Sequence, residues 1–328
     1  MGDIRTYIEI AEHILTGKKI KSDPENFSIP KPRNPIAVIE NGEIKELVLN
    51  QSFIKRIYWT GPPTSYIGSW ELLPTVCPRQ VYEVYIARTY KFPQTLSMIL
   101  GNYFETLCIG GGLYGKTLNL PRNTRTGEPL AIEKYILSAV NRFKKVAEET
   151  GIQVNASNTQ VEMPPIWITD FPDIKVYYKG TADIISPFHY QNINYDVCVL
   201  DLKLTNNRNE SFFKPKEPWM SFCWGSPELM SQLQATSYSI GFQMPFLNIV
   251  FDYQKDNAGW KVVPVKSVIS HPDSNEARLR YQEFKEGLRK VILTLLEWNE
   301  YDWPEYKGVQ CVKCPVSACP QKKIIEHY

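Results

Sequence analysis

The sequence predicts a mixed α/β domain in which helices flank a central β-sheet. After residue 71 the hydrophobic pattern runs in the order helix, three strands, helix and strand, which is typical of this class. Residues 197–204, VCVLDLKL, form a short apolar run of the kind found in a buried central strand. With 328 residues, 43% apolar residues and 8 Trp, the chain is long and apolar enough to bury a substantial core.

Each element is predicted from its own spacing of apolar residues. Helices are expected at 93–107, 132–149, 227–241 and 276–298. Strands are expected at 159–169, 175–186, 197–204, 246–253 and 260–266. The dipeptide Asn41-Gly42 lies between two short apolar runs, so residues 36–49 are expected to form a hairpin that turns there.

The chain is predicted to have two parts. Residues 1–70 carry no motif with recognisable chemistry and are expected to form an N-terminal extension. Its expected role is to bind a protein partner or to form a homo-oligomer. Residues 71–328 are expected to form the functional domain, which includes a cysteine cluster at 311–319.

Composition limits the location of the protein and the type of partner. Lys plus Arg number 37 and Asp plus Glu 35, so the net charge is only +2 and any nucleic-acid surface must be local. No stretch approaches roughly 18 uncharged apolar residues, and the N-terminus lacks a signal-peptide pattern, so neither a membrane span nor secretion is expected. An odd count of 7 Cys argues against a disulfide framework. These features predict a cytoplasmic protein in a reducing environment.

Two acidic residues and a lysine on neighbouring predicted strands indicate a metal-dependent active site. Asp201 and Lys203 are two positions apart, so on a strand they point to one side while Leu202 points to the other. If the strands pair, Asp183 lies near Asp201 at one end of the ladder. Carboxylate oxygens suit Mg²⁺ or Mn²⁺, which activate water and neutralise the charge of a scissile phosphate. Lys203 is expected to orient the attacking water or to stabilise the developing negative charge.

Three further residues extend this candidate site. Glu105 lies in a predicted helix and could add a third carboxylate. Gln234 and Tyr238 are four positions apart, so they share a helix face and could hold a nucleic-acid backbone or the catalytic lysine.

Each of these motifs also has a purely structural interpretation. Glu105 could be a surface residue, and Gln234 with Tyr238 a half-buried polar pair on an amphipathic helix. Asp201 and Lys203 could be a solvated pair on an edge strand. The apolar run before Asp201 argues against that last interpretation, because burying an acid–base pair is costly without a purpose.

The succession Gly101-x-x-x-Glu105, Gly180-x-x-Asp183, Asp201-x-Lys203 and Gln234-x-x-x-Tyr238 resembles the PD-(D/E)XK nuclease superfamily. The likeness is greatest to its RecB-like branch, which includes phage and CRISPR-associated exonucleases, and it covers about residues 71–328. It implies a restriction-endonuclease-like core and DNA cleavage. The site residues it implies are Glu105, Asp183 and Asp201 as metal ligands, the backbone carbonyl of Leu202 as a further ligand, Lys203 as the catalytic lysine, and Gln234 and Tyr238 as a DNA-contacting pair. Many members have a His in the first motif; this chain has none nearby, which leaves the metal preference open.

Four cysteines predict a second metal site with softer ligands. Cys77 precedes Pro78-Arg79-Gln80-Val81-Tyr82, and the tail reads Cys311-x-x-Cys314-x-x-x-x-Cys319-Pro320. A [4Fe–4S] cluster or Zn²⁺ fits four thiolates, and incidental, unligated cysteines are the alternative. The pattern resembles the iron–sulfur subset of RecB-like nucleases, where one Cys before the first acidic motif joins three near the C-terminus. That resemblance implies a [4Fe–4S] cluster that staples the tail to the domain.

The leading hypothesis is a Mg²⁺- or Mn²⁺-dependent DNA nuclease, expected to be an exonuclease that acts on single-stranded DNA or on DNA ends. The alternative is a non-catalytic DNA-binding or assembly subunit that retains the nuclease fold. A third hypothesis is an ATPase, since 110–117 matches the phosphate-binding pattern G-x-x-x-x-G-K-[ST]. A helix is predicted before this segment, where the pattern needs a strand, and Pro121 and Pro129 prevent a long helix after it. Both features argue against nucleotide binding.

Overall fold

The computed structural model describes residues 36–60, 68–90, 96–109, 126, 131–205, 233–252, 260–264 and 275–305. The strands are β1 Ala37–Glu40, β2 Glu43–Leu49, β3 Tyr58–Trp59, β4 Glu71–Leu72, β5 Thr159–Glu162, β6 Ile166–Trp167, β7 Lys175–Tyr178, β8 Thr181–Tyr190, β9 Ile193–Thr205, β10 Phe246–Asp252 and β11 Trp260–Pro264. The helices are α1 Gln51–Ile57, α2 Pro78–Val81 (continued by a π-helical turn, Tyr82–Ile86), α3 Leu96–Cys108, α4 Ala131–Thr150, α5 Leu233–Phe242 and α6 Asn275–Glu300.

The chain forms two compact units that alternate along the sequence. The first contains the described parts of Pro93–Met163 and Thr181–Arg280. The second contains the described parts of Lys31–Phe92 and Tyr281–Tyr328, together with Pro164–Gly180.

The described strands of the first unit form a five-stranded sheet in the order β11-β10-β9-β8-β5. β9 and β10 are parallel, and the other neighbours are antiparallel. Parallel neighbours require a crossover connection, and α5 is the described part of it. Phe104 of α3 and Phe143 of α4 pack against Phe251 of β10, with ring centroids 5.4 and 5.8 Å from it. This mixed sheet flanked by helices confirms the predicted α/β class.

The second unit contains a four-stranded sheet in the order β1-β2-β7-β6, in which β2 and β7 are parallel. The hairpin predicted at 36–49 is confirmed as β1 and β2, and its turn has positive φ at Asn41 and Gly42, 53° and 81°. The buried Tyr178 of β7 packs edge-on against Phe284 of α6, with ring centroids 5.2 Å apart. Part of the predicted extension, residues 1–70, therefore supplies β1, β2, α1 and β3 to this unit; its role in binding partners stays a prediction.

Two strand predictions were wrong because each joins strands that belong to different sheets. The predicted strand 159–169 divides into β5 and β6 at Pro164-Pro165, where proline supplies no backbone N–H for the ladder. The predicted strand 175–186 divides into β7 and β8, and the N–H of Lys179 between them donates to the carbonyl of Leu49 at 3.0 Å. Asp183 therefore lies near the beginning of β8 rather than at the end of a strand.

Several predicted features lie outside the described residues. They are most of the N-terminal segment, the start of the helix at 227–241, the glycine-rich segment 110–117, and Cys311, Cys314 and Cys319. Among the described helices, none combines the length and the apolar character needed to cross a bilayer.

Candidate active site

The candidate active site lies where β8 and β9 separate. Their antiparallel pairing extends from Tyr190↔Ile193 to Ile184↔Leu200. Beyond this last pair, the backbone N–H of Leu202 donates to Oδ2 of Asp183 at 2.8 Å. A carboxylate thus takes the place of a backbone partner, and we call this point the β8–β9 fork.

Asp201 and Lys203 form a buried ion pair at the β8–β9 fork. The side chain of Asp201 is 4% exposed and that of Lys203 17%. Nζ of Lys203 contacts Oδ2 of Asp201, and Nε2 of Gln234 donates to Oδ1 at 2.6 Å. Both carboxylate oxygens of Asp201 therefore have protein partners, one from its own strand and one from α5.

Glu105 reaches the same fork from α3. The amide of Gln160, in β5, donates from Nε2 to Oε1 of Glu105 at 2.7 Å. The charges of Asp201 and Lys203 both act on the Glu105 carboxyl, which places the three groups in one electrostatic cluster.

The carboxyl groups of this cluster repel one another. Burial, and then the charges of Asp201 and Glu105, raises the pKa of Asp183 well above its ordinary value. Burial and the charge of Asp201 raise the pKa of Glu105, against the opposing effects of Lys203 and Gln160. Burial by itself lowers the pKa of Lys203, but the attraction of the three acids outweighs it and the pKa lies above its ordinary value. Lys203 therefore remains an ammonium at neutral pH, and its positive charge is shared among the three acids.

Tyr238 is held inside the protein. Its hydroxyl donates to the carbonyl of Thr181 at 2.9 Å and accepts from the N–H of the same residue at 3.3 Å. Its ring packs edge-on against Phe242 and Phe246. Tyr238 thus attaches α5 to the beginning of β8, two residues before Asp183, and contact of this side chain with DNA stays a prediction.

The acids at the fork have the donor chemistry of a divalent-cation site. Three carboxyl groups supply oxygen donors of the kind that Mg²⁺ and Mn²⁺ prefer. The raised pKa values of Glu105 and Asp183 indicate a place that favours added positive charge. In the described part of the chain, however, no group of three His, Cys, Asp or Glu side chains is arranged to hold a metal ion. The oxygen donors therefore suit Mg²⁺ or Mn²⁺. In the described arrangement, however, Lys203 and Gln234 contact the carboxylate of Asp201.

Sequence reasoning missed two polar residues beside this site. Gln160 contacts Glu105, and nothing in a single sequence shows that its backbone adopts φ of 51°. Asn248 of β10 pairs with Asp201 in parallel register and is 1% exposed, and its Oδ1 has no hydrogen-bond partner among the described residues. For Asn248 there was a signal, an amide within the apolar strand FLNIVFD.

The first predicted cysteine ligand lies beside the start of the tail. Cys77 is partly exposed and immediately precedes α2. The N–H of Arg79 donates to the carbonyl of Pro304 at 3.3 Å, and the ring of Tyr82 lies 5.5 Å from that of Trp303. The chain therefore passes close to Cys77 shortly before the segment that contains the other three cysteines.

The chain matches no protein-family model, and it matches no curated protein at a significant level. Two solved structures are similar to it at low identity. One is a protein named "putative exonuclease" from Eubacterium rectale, which is 14% identical, with a TM-score of 0.48 over 82% of this chain and 92% of that one. The other, named SSO0001, is 14% identical, with a TM-score of 0.32 over 98% of each chain. Likenesses at this level do not transfer a function, which must come from the residues at the β8–β9 fork.

Proposed function

We propose that this chain is a metal-dependent deoxyribonuclease whose active site is the β8–β9 fork. The observation that supports this is the meeting of Glu105, Asp183 and Asp201 with the buried ammonium of Lys203. Burying such charges costs roughly several kcal/mol unless each charge is fully compensated by its partners. Stability alone therefore does not favour the cluster. Acidic and basic groups with perturbed pKa values are concentrated at catalytic sites.

In the proposed enzyme Glu105, Asp183 and Asp201 hold Mg²⁺ or Mn²⁺, with the backbone carbonyl of Leu202 as a further ligand. Such an ion neutralises phosphate charge and favours the ionisation of water. The oxygen donor set and the crowding of like charges support this assignment.

Lys203 supplies a fixed positive charge for the reaction. In phosphodiester hydrolysis, the oxygen of water bonds to phosphorus, the bond from phosphorus to one ester oxygen breaks, and the leaving oxygen gains a proton. The phosphate oxygens become more negative during this displacement, and an adjacent ammonium stabilises them. Because its pKa lies above the ordinary value, Lys203 acts as a cation and not as a base.

Gln234 and Tyr238 position the groups that act on phosphate. The Gln234 amide fixes the orientation of the Asp201 carboxylate, and the Tyr238 hydroxyl holds the beginning of β8. We further propose that this face of α5 lies along the DNA backbone, as the resemblance implies.

The proposed substrate is single-stranded DNA or a DNA end. Support comes from the sequence alone: Arg208, Lys214 and Lys216 stand among aromatic residues in a segment outside the described residues. Cations beside aromatic rings suit phosphate contacts combined with base stacking.

We also propose a [4Fe–4S] cluster, with Zn²⁺ as the alternative, held by Cys77, Cys311, Cys314 and Cys319. The hydrogen bond from the Arg79 N–H to the Pro304 carbonyl supports it, because the last described residues of the chain then lie near Cys77. Anaerobic purification followed by absorbance near 400 nm distinguishes a coloured cluster from colourless zinc.

The nuclease proposal is tested with end-labelled linear, circular and single-stranded DNA in the presence of Mn²⁺. Asp201→Ala and Lys203→Ala are each expected to lower the cleavage rate about 100-fold or more. Asp196→Ala is the matched control, because Asp196 lies on the same strand and is exposed. Full activity in both fork variants overturns the assignment.

The second candidate, a DNA-binding or assembly subunit without turnover, has one observation in its favour. Among the described residues no group of three His, Cys, Asp or Glu side chains is arranged to hold a metal ion, and Asp201 is engaged by Lys203. This candidate predicts DNA binding by gel shift with no cleavage by wild-type protein in Mg²⁺ or Mn²⁺.

A further inference from the structure

Gln160 has an unusual backbone conformation for a strand residue. Its φ is 51°, in the left-handed region that L-residues other than glycine rarely occupy. The pairs Thr159↔Ile184 and Val161↔Ala182 on either side place it opposite Asp183. Strained backbone of this kind persists only where the surroundings impose it, and it is concentrated at functional sites.

The side chain of Gln160 contacts the fork directly. Its amide donates to Oε1 of Glu105 at 2.7 Å, so it connects β5 to α3 across the cluster. An uncharged donor holds one carboxylate oxygen in place without supplying a competing positive charge. Oε2 of Glu105 lies outside this hydrogen bond.

We propose that Gln160 is a positioning residue that orients the Glu105 carboxylate toward the divalent cation of the β8–β9 fork. The left-handed backbone directs the Gln160 amide to Glu105. Glycine would adopt this backbone conformation without strain, and the function of the amide contact explains why glutamine occupies the position instead. This inference rests on the proposed function, because it assumes that the fork binds a cation.

A matched control exists in the same unit. Gln191, in the turn between β8 and β9, has a similar φ of 54° and is exposed. A left-handed residue is ordinary in a hairpin turn. Glycine at either position removes the backbone conflict, but only at 160 does it also remove a contact to the cluster.

The experiment compares Gln160→Gly with Gln191→Gly. Both are expected to unfold thermally at or above the wild-type temperature, because glycine accepts positive φ without strain. Electron paramagnetic resonance of free Mn²⁺ then measures binding independently of activity. Gln160→Gly is expected to weaken Mn²⁺ binding about tenfold, as loss of a group that orients a metal ligand does. Its kcat falls at limiting Mn²⁺ and recovers at excess Mn²⁺, the KM for DNA stays unchanged, and Gln191→Gly behaves as wild type.

Gln160→Met distinguishes the effect of the side-chain amide from the effect of the backbone conformation. This variant keeps the length of the side chain and the unfavourable φ but removes the donor, so it is expected to weaken Mn²⁺ binding as glycine does. If Gln160→Gly lowers the unfolding temperature, the Mn²⁺ affinity of Gln160→Met decides whether the amide acts on the cation site. Wild-type Mn²⁺ affinity in both variants overturns this inference alone. Absence of Mn²⁺ binding or of cleavage by the wild-type chain overturns the proposed function and the inference together.

Discussion

The four-stranded and five-stranded sheets each carry an acid–lysine pair, but they place it in opposite surroundings. In the second unit, Glu46 of β2 and Lys175 of β7 lie 3.5 Å apart, and the Lys175 side chain is 54% exposed. In the first unit, Asp201 and Lys203 pair with side chains 4% and 17% exposed. An exposed pair contributes roughly 0–1 kcal/mol, whereas taking two charges out of water costs several times as much. Stability alone therefore does not favour the pair in the first unit, which supports the proposal that this sheet carries the active site.

The largest predicted difference comes from removing the lysine of each pair. Lys203→Met leaves the acids of the fork without their cation and is expected to lower the free energy of unfolding by about 3 kcal/mol at pH 7. Lys175→Met is expected to lower it by less than about 1 kcal/mol, although Lys175 also lies over the rings of Trp167 and Tyr177. Urea unfolding without divalent cations measures both values. Equal losses would show that Lys203 is as well solvated as Lys175.

A smaller difference is predicted for a glycine in a helix of each unit. A Cβ at Gly287 of α6 meets the ring of Trp70, and one at Gly241 of α5 meets the thioether of Met163. A rigid ring cannot bend away, so Gly287→Ala is expected to cost about 2 kcal/mol. Met163 can change rotamer, so Gly241→Ala is expected to cost less than about 1 kcal/mol. Thermal unfolding of the two variants ranks them, and a larger loss for Gly241→Ala would contradict this account.

The smallest predicted effect concerns pH. The pKa of Asp183 is raised above 3.8 in the folded protein. The contribution of Asp183 to the free energy of unfolding is therefore complete below pH 3.8 and is lost as the pH rises through the pKa of the folded state. Asp183→Asn removes that loss while keeping an oxygen for the Leu202 N–H. Without divalent cations it is expected to be more stable than wild type at pH 7, by about 1 kcal/mol, and the gain should shrink as the pH falls toward 3.8. Asp196→Asn, at an exposed position, should show no such gain.

The fold class and the buried strand that carries Asp201 were predictable because each leaves a periodic or apolar signal. The run before Asp201 identified a buried strand, and its spacing to Lys203 identified a common face. What could not be predicted depends on backbone detail: neither the left-handed Gln160 nor the separation of β8 from β9 at Asp183 has a signature in side-chain type. The division of 159–169 was readable from Pro164-Pro165, but which sheet each half joins depends on contacts distant in the sequence.

The discontinuity of the second unit bears on how the protein is made. β7 is synthesised long after its neighbour β2, and the contacts of Phe284 with Tyr178 and of Pro304 with Arg79 follow later still. A nascent chain emerging from the ribosome therefore lacks the strand that pairs with β2 until translation has passed residue 178. Chaperones that shield hydrophobic segments during elongation should matter more for this unit than for the first.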